Sequence, residues 1–191
     1  IFQFINIIIS RELGPSSVTL YNVTYKLFLT SEMAVMIIVA PVWSAYTDAY
    51  TRRDYVWMKR CTHKLERIGL FCRPVLMLLI LFSPYIFNLW IGETITTSIT
   101  ISTAVATMIF FKIMANIYTY QINGTGKIYI QFIVYLIFAI IALPLMIFLC
   151  RLYGIIGVVL VPTVTFLFQF IFCRIQIHKI LHNEATGIWN K

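Results

Sequence analysis

Apolar side chains in this chain run on without a polar beat between them. Five stretches, at 27–46, 69–91, 98–118, 128–150 and 155–177, are continuous enough to read as single elements, and a shorter run at 1–9 precedes them. An α-helix needs about 20 apolar residues to cross roughly 30 Å of hydrocarbon, and each of the five reaches that length. A β-barrel would alternate apolar with polar over segments of about ten residues, whereas a stretch such as 75–82 is apolar throughout. Lipid gives the backbone no hydrogen-bond partner, so a run of this kind must satisfy its own amides, as only a helix does. The pattern predicts an all-α, polytopic transmembrane helix bundle with five full spans and a partial first helix.

Composition makes a soluble alternative untenable. Of the 191 residues, 60% are hydrophobic and 12% charged, against about a quarter charged in soluble domains. A globule of this size would leave much of that apolar surface in water. The chain opens at Ile1 inside an apolar run, without a basic n-region or a small-residue cleavage site, and reads as continuing from an earlier segment. Cys61, Cys72, Cys150 and Cys173 show no CxxC spacing and read as small apolar residues, with no disulfide framework or zinc site.

Lysine and arginine set the orientation, because they gather in cytoplasmic loops. Six of them, Arg52, Arg53, Lys59, Arg60, Lys64 and Arg67, fall within 48–67, and Lys127, Arg174, Lys179 and Lys191 lie on the same side; only Arg11 and Arg151 lie on the other. Ten against two puts the C-terminus in the cytoplasm. The formal charge of +8 is therefore spread over loops between spans, and implies no nucleic acid. Within 48–67, Trp57, Cys61 and Leu65 repeat every four residues and predict an amphipathic elbow lying in the membrane interface.

Glycine and proline mark joints. Gly14-Pro15 separates the first run from the next, Gly92 follows the second full span, Asn123-Gly124-Thr125-Gly126 reads as a tight cytoplasmic turn, and Gly154 with Gly157 opens the last span. Pro41, Pro74, Pro84, Pro144 and Pro162 fall within spans and predict bends.

Several phrases resemble the polysaccharide-export and O-antigen flippases of the MOP superfamily. Leu13-Gly14-Pro15-Ser16-Ser17-Val18-Thr19-Leu20-Tyr21-Asn22 is similar to the segment after their seventh helix. Ala40-Pro41-Val42-Trp43-Ser44-Ala45-Tyr46, Asn88-Leu89-Trp90-Ile91-Gly92, Asn123-Gly124-Thr125-Gly126-Lys127-Ile128 and Tyr153-Gly154-Ile155-Ile156-Gly157-Val158 follow in order. The resemblance implies a two-lobed transporter of the bacterial cytoplasmic (inner) membrane, of which this chain is the C-terminal six-helix lobe and the N-terminal lobe is missing. It also implies a cargo, a polyprenyl-diphosphate-linked oligosaccharide for polysaccharide or lipopolysaccharide biosynthesis.

Ionisable residues within spans are costly, which makes them functional candidates. Four stand out for substrate binding: Lys26 at the outer end of its span, Glu32 about five residues inside the same one, Arg73 about four residues in from a cytoplasmic end, and Lys112 about six. Lysine and arginine can snorkel to an interface, but the short Glu32 side chain needs a partner or water. Tyr25 lies seven residues before Glu32 and shares its helix face, while Lys26 points about 120° away. Three cations against one carboxylate favour an anionic cargo over a cationic drug.

Tyr46, Tyr55, Trp57, Tyr85, Trp90, Tyr118 and Tyr120 read as interfacial belts sooner than as a sugar platform. The segment around Asn123 fails the phosphate-loop pattern, with Gln121 where the first glycine belongs and Ile128 where a serine or threonine belongs. His178 and His182 could clip a metal but have only Glu184 nearby, and read as surface histidines. Two alternatives stand beside the flippase: a cation-coupled multidrug antiporter of the same superfamily, with Glu32 as its coupling group, and a membrane enzyme acting on the same lipid carrier. The enzyme would need convergent catalytic side chains, yet the outer loops offer only Arg11, Glu12, Glu93 and Arg151. The expectation is a transporter that needs no cofactor and does no covalent chemistry.

Overall fold

A computed structural model describes residues 2–91 and 98–190; Gly92, Glu93 and Lys191 lie outside the described residues. The described residues form helices and no strand: α1 (Phe2–Leu13), α2 (Pro15–Val39), α3 (Val42–Thr51), α4 (Tyr55–Ile91), α5 (Ile99–Thr125), α6 (Tyr129–Leu181) and a short 3-10 turn, Gly187–Asn190. Four stretches are long and apolar enough to cross a membrane: Pro15–Thr51, Tyr55–Trp90, Ile99–Thr125 and Tyr129–Leu181. Leu89, Ile37, Phe71 and Ile140 are 92%, 78%, 71% and 70% exposed. That outer surface suits lipid, not water.

The first long helix begins twelve residues before the apolar run at 27 that announces it. Gly14 takes a left-handed φ of 88° and Pro15 opens α2 at the first helical position, where its missing N–H costs nothing. The polar residues that follow do not interrupt it, because the Ser17 and Thr24 hydroxyls donate to the carbonyls of Leu13 and Leu20. Thr24 thereby satisfies its hydroxyl within α2, and Ser17 does so by reaching back across Gly14 to the end of α1. Pro41 sits at the joint between α2 and α3.

No interfacial elbow forms between 48 and 67. Arg53 turns the chain with a φ of 57°, Asp54 Oδ1 accepts the Trp57 N–H at 2.9 Å as a cap, and α4 then runs unbroken through Pro74 and Pro84. The amphipathic stripe of this segment faces protein: Met58, Thr62, Leu65, Cys72 and Leu76 are buried at helical spacing, while Trp57 stays 38% exposed. Tyr46 of α3 fixes the docking by donating to the Met58 carbonyl at 3.1 Å and by bonding Thr62. Thr62 in turn pairs with Gln121 of α5 at 2.9 Å.

Helix α5 is the centre of the bundle and packs against α2, α3, α4 and α6. Its buried side chains, among them Val105, Met108, Ile109, Ile113, Ile117 and Tyr118, lie all round its circumference, as expected of a helix enclosed by others. It continues through Asn123, Gly124 and Thr125, so the turn predicted there is displaced. Only Gly126, at φ 74°, leaves the helix. Gly124 serves close packing instead: a Cβ there would lie 2.6 Å from Tyr46 Cβ and 2.9 Å from the Trp43 carbonyl oxygen.

Helix α6 is folded on itself. Gly154, with φ 60° and ψ −138°, breaks the helical path. The Phe138 and Phe168 rings stand 5.8 Å apart, although thirty residues of straight helix would span about 45 Å. Gln176 donates to the Lys127 carbonyl at 2.9 Å near the open end. The limbs 129–153 and 155–181 are thus antiparallel. Gly157 lets them turn so tightly, since a Cβ there would lie 2.0 Å from the Leu149 carbonyl oxygen.

Candidate functional site

Where α2 crosses α5, four polar side chains converge inside the bundle. Seven residues separate Tyr25 from Glu32 on α2, and four separate Lys112 from Asn116 on α5, so each pair shares one helix face. The Lys112 ammonium lies 2.9 Å from Glu32 Oε2. It also donates to the Tyr25 hydroxyl at 3.2 Å. Asn116 donates to the other carboxylate oxygen, Glu32 Oε1, at 3.2 Å. Side-chain exposure is only 8% for Glu32 and 16% for Lys112.

Burial decides what this pair is. Lys112 lies thirteen residues from either end of α5, about 20 Å along the axis. Helix α5 runs on past Tyr118 to Thr125. Glu32 lies seventeen residues into α2 and seven from its end at Val39. Both charges are largely buried in the bundle and pair with each other. Such a pair is costly to desolvate, and loss of one member leaves the other buried and uncompensated.

The other two candidates stay apart from this cluster. Lys26 lies eleven residues into α2, and its side chain is exposed on the bundle surface. Arg73 occupies the middle of α4 and is also exposed, lining a cleft of about 400 Å³ between α4 and α5. Neither forms an ion pair among the described residues.

Residue reading overlooked Asn116 and Glu66. Asn116 could have been found, because it follows Lys112 by one helical turn. Glu66 offers no such signal: surrounded by basic residues in sequence, it reads as one more solvated charge. In the fold it accepts the Tyr118 hydroxyl, meets His63 Nδ1 at 3.2 Å and lies 3.8 Å from Arg174 of α6. With His178, Lys179 and His182 it lines a cavity of about 690 Å³. The belt assignment fails for Tyr46 and Tyr118, both fully buried and both hydrogen-bonded inside the bundle. His178 and His182 stack at 4.2 Å, with His182 Nδ1 donating to the His178 carbonyl at 2.8 Å.

A third group lies at the opposite end. Arg151, beside the turn of α6, donates from Nε to Glu12 Oε2 at 2.9 Å and from Nη2 to Oε1 at 3.2 Å, joining α1 to α6. Arg151 is 67% exposed.

Comparison with known protein families, with curated proteins and with solved structures returned no match. The reading of this site rests on its own chemistry.

Proposed function

We propose that this chain is one lobe of a two-lobed flippase of the MOP superfamily, acting in the bacterial cytoplasmic membrane. Its cargo is a polyprenyl-diphosphate-linked oligosaccharide, moved from the cytoplasmic to the outer leaflet by alternating access with no covalent chemistry. On this reading α1 corresponds to the seventh helix of the whole transporter. The stretch α2–α3, then α4, α5 and the two limbs of α6 correspond to the eighth through twelfth, with the C-terminus in the cytoplasm.

The observation that carries the proposal is the buried Glu32–Lys112 pair with Tyr25 and Asn116 around it. A buried lysine held by a carboxylate is an anion site with an internal plug. When a diphosphate competes for the ammonium, the tie between α2 and α5 loosens and Lys112 becomes available to the cargo. Lys26, exposed on the same helix, adds positive charge along the path.

The same buried carboxylate gives the antiporter reading its one specific support, with Glu32 as the group that takes up the coupling proton. Deletion of the gene separates the two: lost surface glycan supports the flippase, and drug sensitivity with intact glycan supports the antiporter.

The decisive test is export of surface glycan by the Glu32→Gln/Lys112→Met variant, which removes both charges together and leaves neither one buried alone. Export should fall by about tenfold or more, a barrier change of about 1.4 kcal/mol, at unchanged protein level in the membrane. Normal export would remove the proposed role of the pair. The lobe assignment carries its own test, since flipping by this chain alone in liposomes would contradict it.

A further inference from the structure

Arg73 has surroundings unlike those of a residue facing a watery transport path. Its neighbours on α4 include Phe71, Val75 and Met77, which are 71%, 37% and 56% exposed, so it stands on an oily outer wall. The cleft beside it is lined by Leu76, Met77 and Ile80 of α4 and by Ala106, Phe110 and Phe111 of α5, together with Thr103 and Thr107. Those two threonines donate their hydroxyls to the carbonyls of Ile99 and Thr103, each at 2.8 Å. Their hydrogens are thereby spent inside α5, and Arg73 is the one charged side chain lining the cleft.

The direction of the cleft follows from two cross-helix contacts. Thr62 bonds Gln121 at 2.9 Å and Ser83 bonds Ser102 at 3.2 Å. Helices α4 and α5 are therefore antiparallel neighbours, with Arg73 level with Phe111 and Ile80 level with Ala104 or Val105. From Arg73 to Ile80 the cleft runs about 10 Å along the helix axis, away from the basic segment 48–67. It carries a cation at the end nearer the positively charged side and hydrocarbon beyond it. That is the shape of an amphiphile.

We propose that Arg73 and this cleft bind an anionic phospholipid of the cytoplasmic leaflet. The guanidinium holds the lipid phosphate through paired N–H donors, and one acyl chain lies along Leu76, Met77, Ile80 and Phe110. A cation facing hydrocarbon without a carboxylate requires a counter-charge from somewhere, and the leaflet beside it supplies one. The assignment takes Arg73 out of the cargo path, and it holds whether or not the chain moves a glycan lipid.

The test uses the purified protein in nanodiscs and counts retained lipid by native mass spectrometry. The probes are phosphatidylglycerol and phosphatidylcholine with identical acyl chains. The protein should retain phosphatidylglycerol about tenfold over phosphatidylcholine. Arg73→Gln should abolish that preference, and Arg73→Lys should keep part of it. Thr107→Trp, which fills the cleft from an exposed position and leaves Arg73 in place, should lower retention of both lipids. Inorganic phosphate at millimolar concentration should displace neither; displacement would reduce the site to a simple anion site and overturn the lipid assignment. Undiminished phosphatidylglycerol preference in Arg73→Gln would overturn it too. Should that variant fail to fold, Thr107→Trp decides alone: unchanged retention sinks the proposal.

Discussion

Two carboxylates in this molecule reach a cation on another helix at the same distance, 2.9 Å, and differ chiefly in how exposed that cation is, 67% for Arg151 and 16% for Lys112. Glu12 meets Arg151 at one end of the bundle through two parallel hydrogen bonds. Glu32 meets Lys112 between α2 and α5, with Tyr25 and Asn116 supplying further bonds. By geometry alone the outer pair is the better one, since a guanidinium fork matches a carboxylate more closely than a single ammonium does. Burial reverses the ranking. Water reaches and screens the Arg151 guanidinium, 67% exposed, so this contact decides little even though Glu12 is itself only 17% exposed. At the inner pair both side chains are largely buried, and each charge depends on the other.

The comparison breaks most severely where the outer pair is built. Arg151 and Glu12 meet only because α6 reverses at Gly154 and Gly157. Gly157→Val places side-chain atoms where a Cβ already lies 2.0 Å from the Leu149 carbonyl oxygen, which is backbone and cannot swing away. We expect little or no folded protein in detergent by size-exclusion chromatography. A monodisperse variant with unchanged melting temperature would mean that the limbs do not turn as described.

Next in size is the inner pair broken from one side. Lys112→Met should destabilise the protein by about 3–5 kcal/mol, because it strands the Glu32 carboxylate among apolar side chains. Glu32→Gln/Lys112→Met should recover most of that loss, since an apolar and neutral replacement of a whole buried pair is close to neutral in stability. Equal melting temperatures for the single and double variants would show that the two charges are not coupled. Smaller again is Gly124→Ala, whose Cβ would press on Tyr46 and the Trp43 carbonyl where α3 crosses α5. Overpacking of this kind costs about 1–3 kcal/mol, readable as a lower melting temperature with the inner pair intact.

What the sequence revealed of this arrangement follows from how far each signal reaches along the chain. Helix formation depends on continuous apolarity, a local property, and the all-α reading needs nothing more. Helix ends were misplaced wherever polar residues kept their helical path by bonding backwards, as Ser17 and Thr24 do, or where a glycine served packing and not turning, as Gly124 does. These extensions put Glu32 seventeen residues into α2 and Lys112 thirteen from either end of α5. The shared face of Tyr25 and Glu32 was legible, because it needs only helical spacing. That Lys112 stands opposite was not, since 80 residues of chain separate it from Glu32 and only packing brings them together. The amphipathic stripe at 58–65 shows the same limit: periodicity says that one side of a helix is apolar, and leaves open whether lipid or protein covers it.

The smallest effect belongs to the outer pair, and it sharpens the comparison most because pH can address it alone. The Arg151 guanidinium beside Glu12 holds that carboxyl below its ordinary pKa of 4.5. A group whose pKa is lowered by folding binds protons more readily when unfolded, so its contribution is complete above the ordinary value and is lost as pH falls through the lowered one. Below pH 4.5 the protein should therefore lose a small increment of stability that Arg151→Gln never had. At neutral pH, Glu12→Gln should leave the melting temperature within experimental error, and high salt should erase whatever difference remains. The inner pair, shielded from ions, should ignore the same salt. If Lys112→Met lost its destabilisation in high salt while Glu12→Gln kept its own effect, burial would not be what separates the two sites.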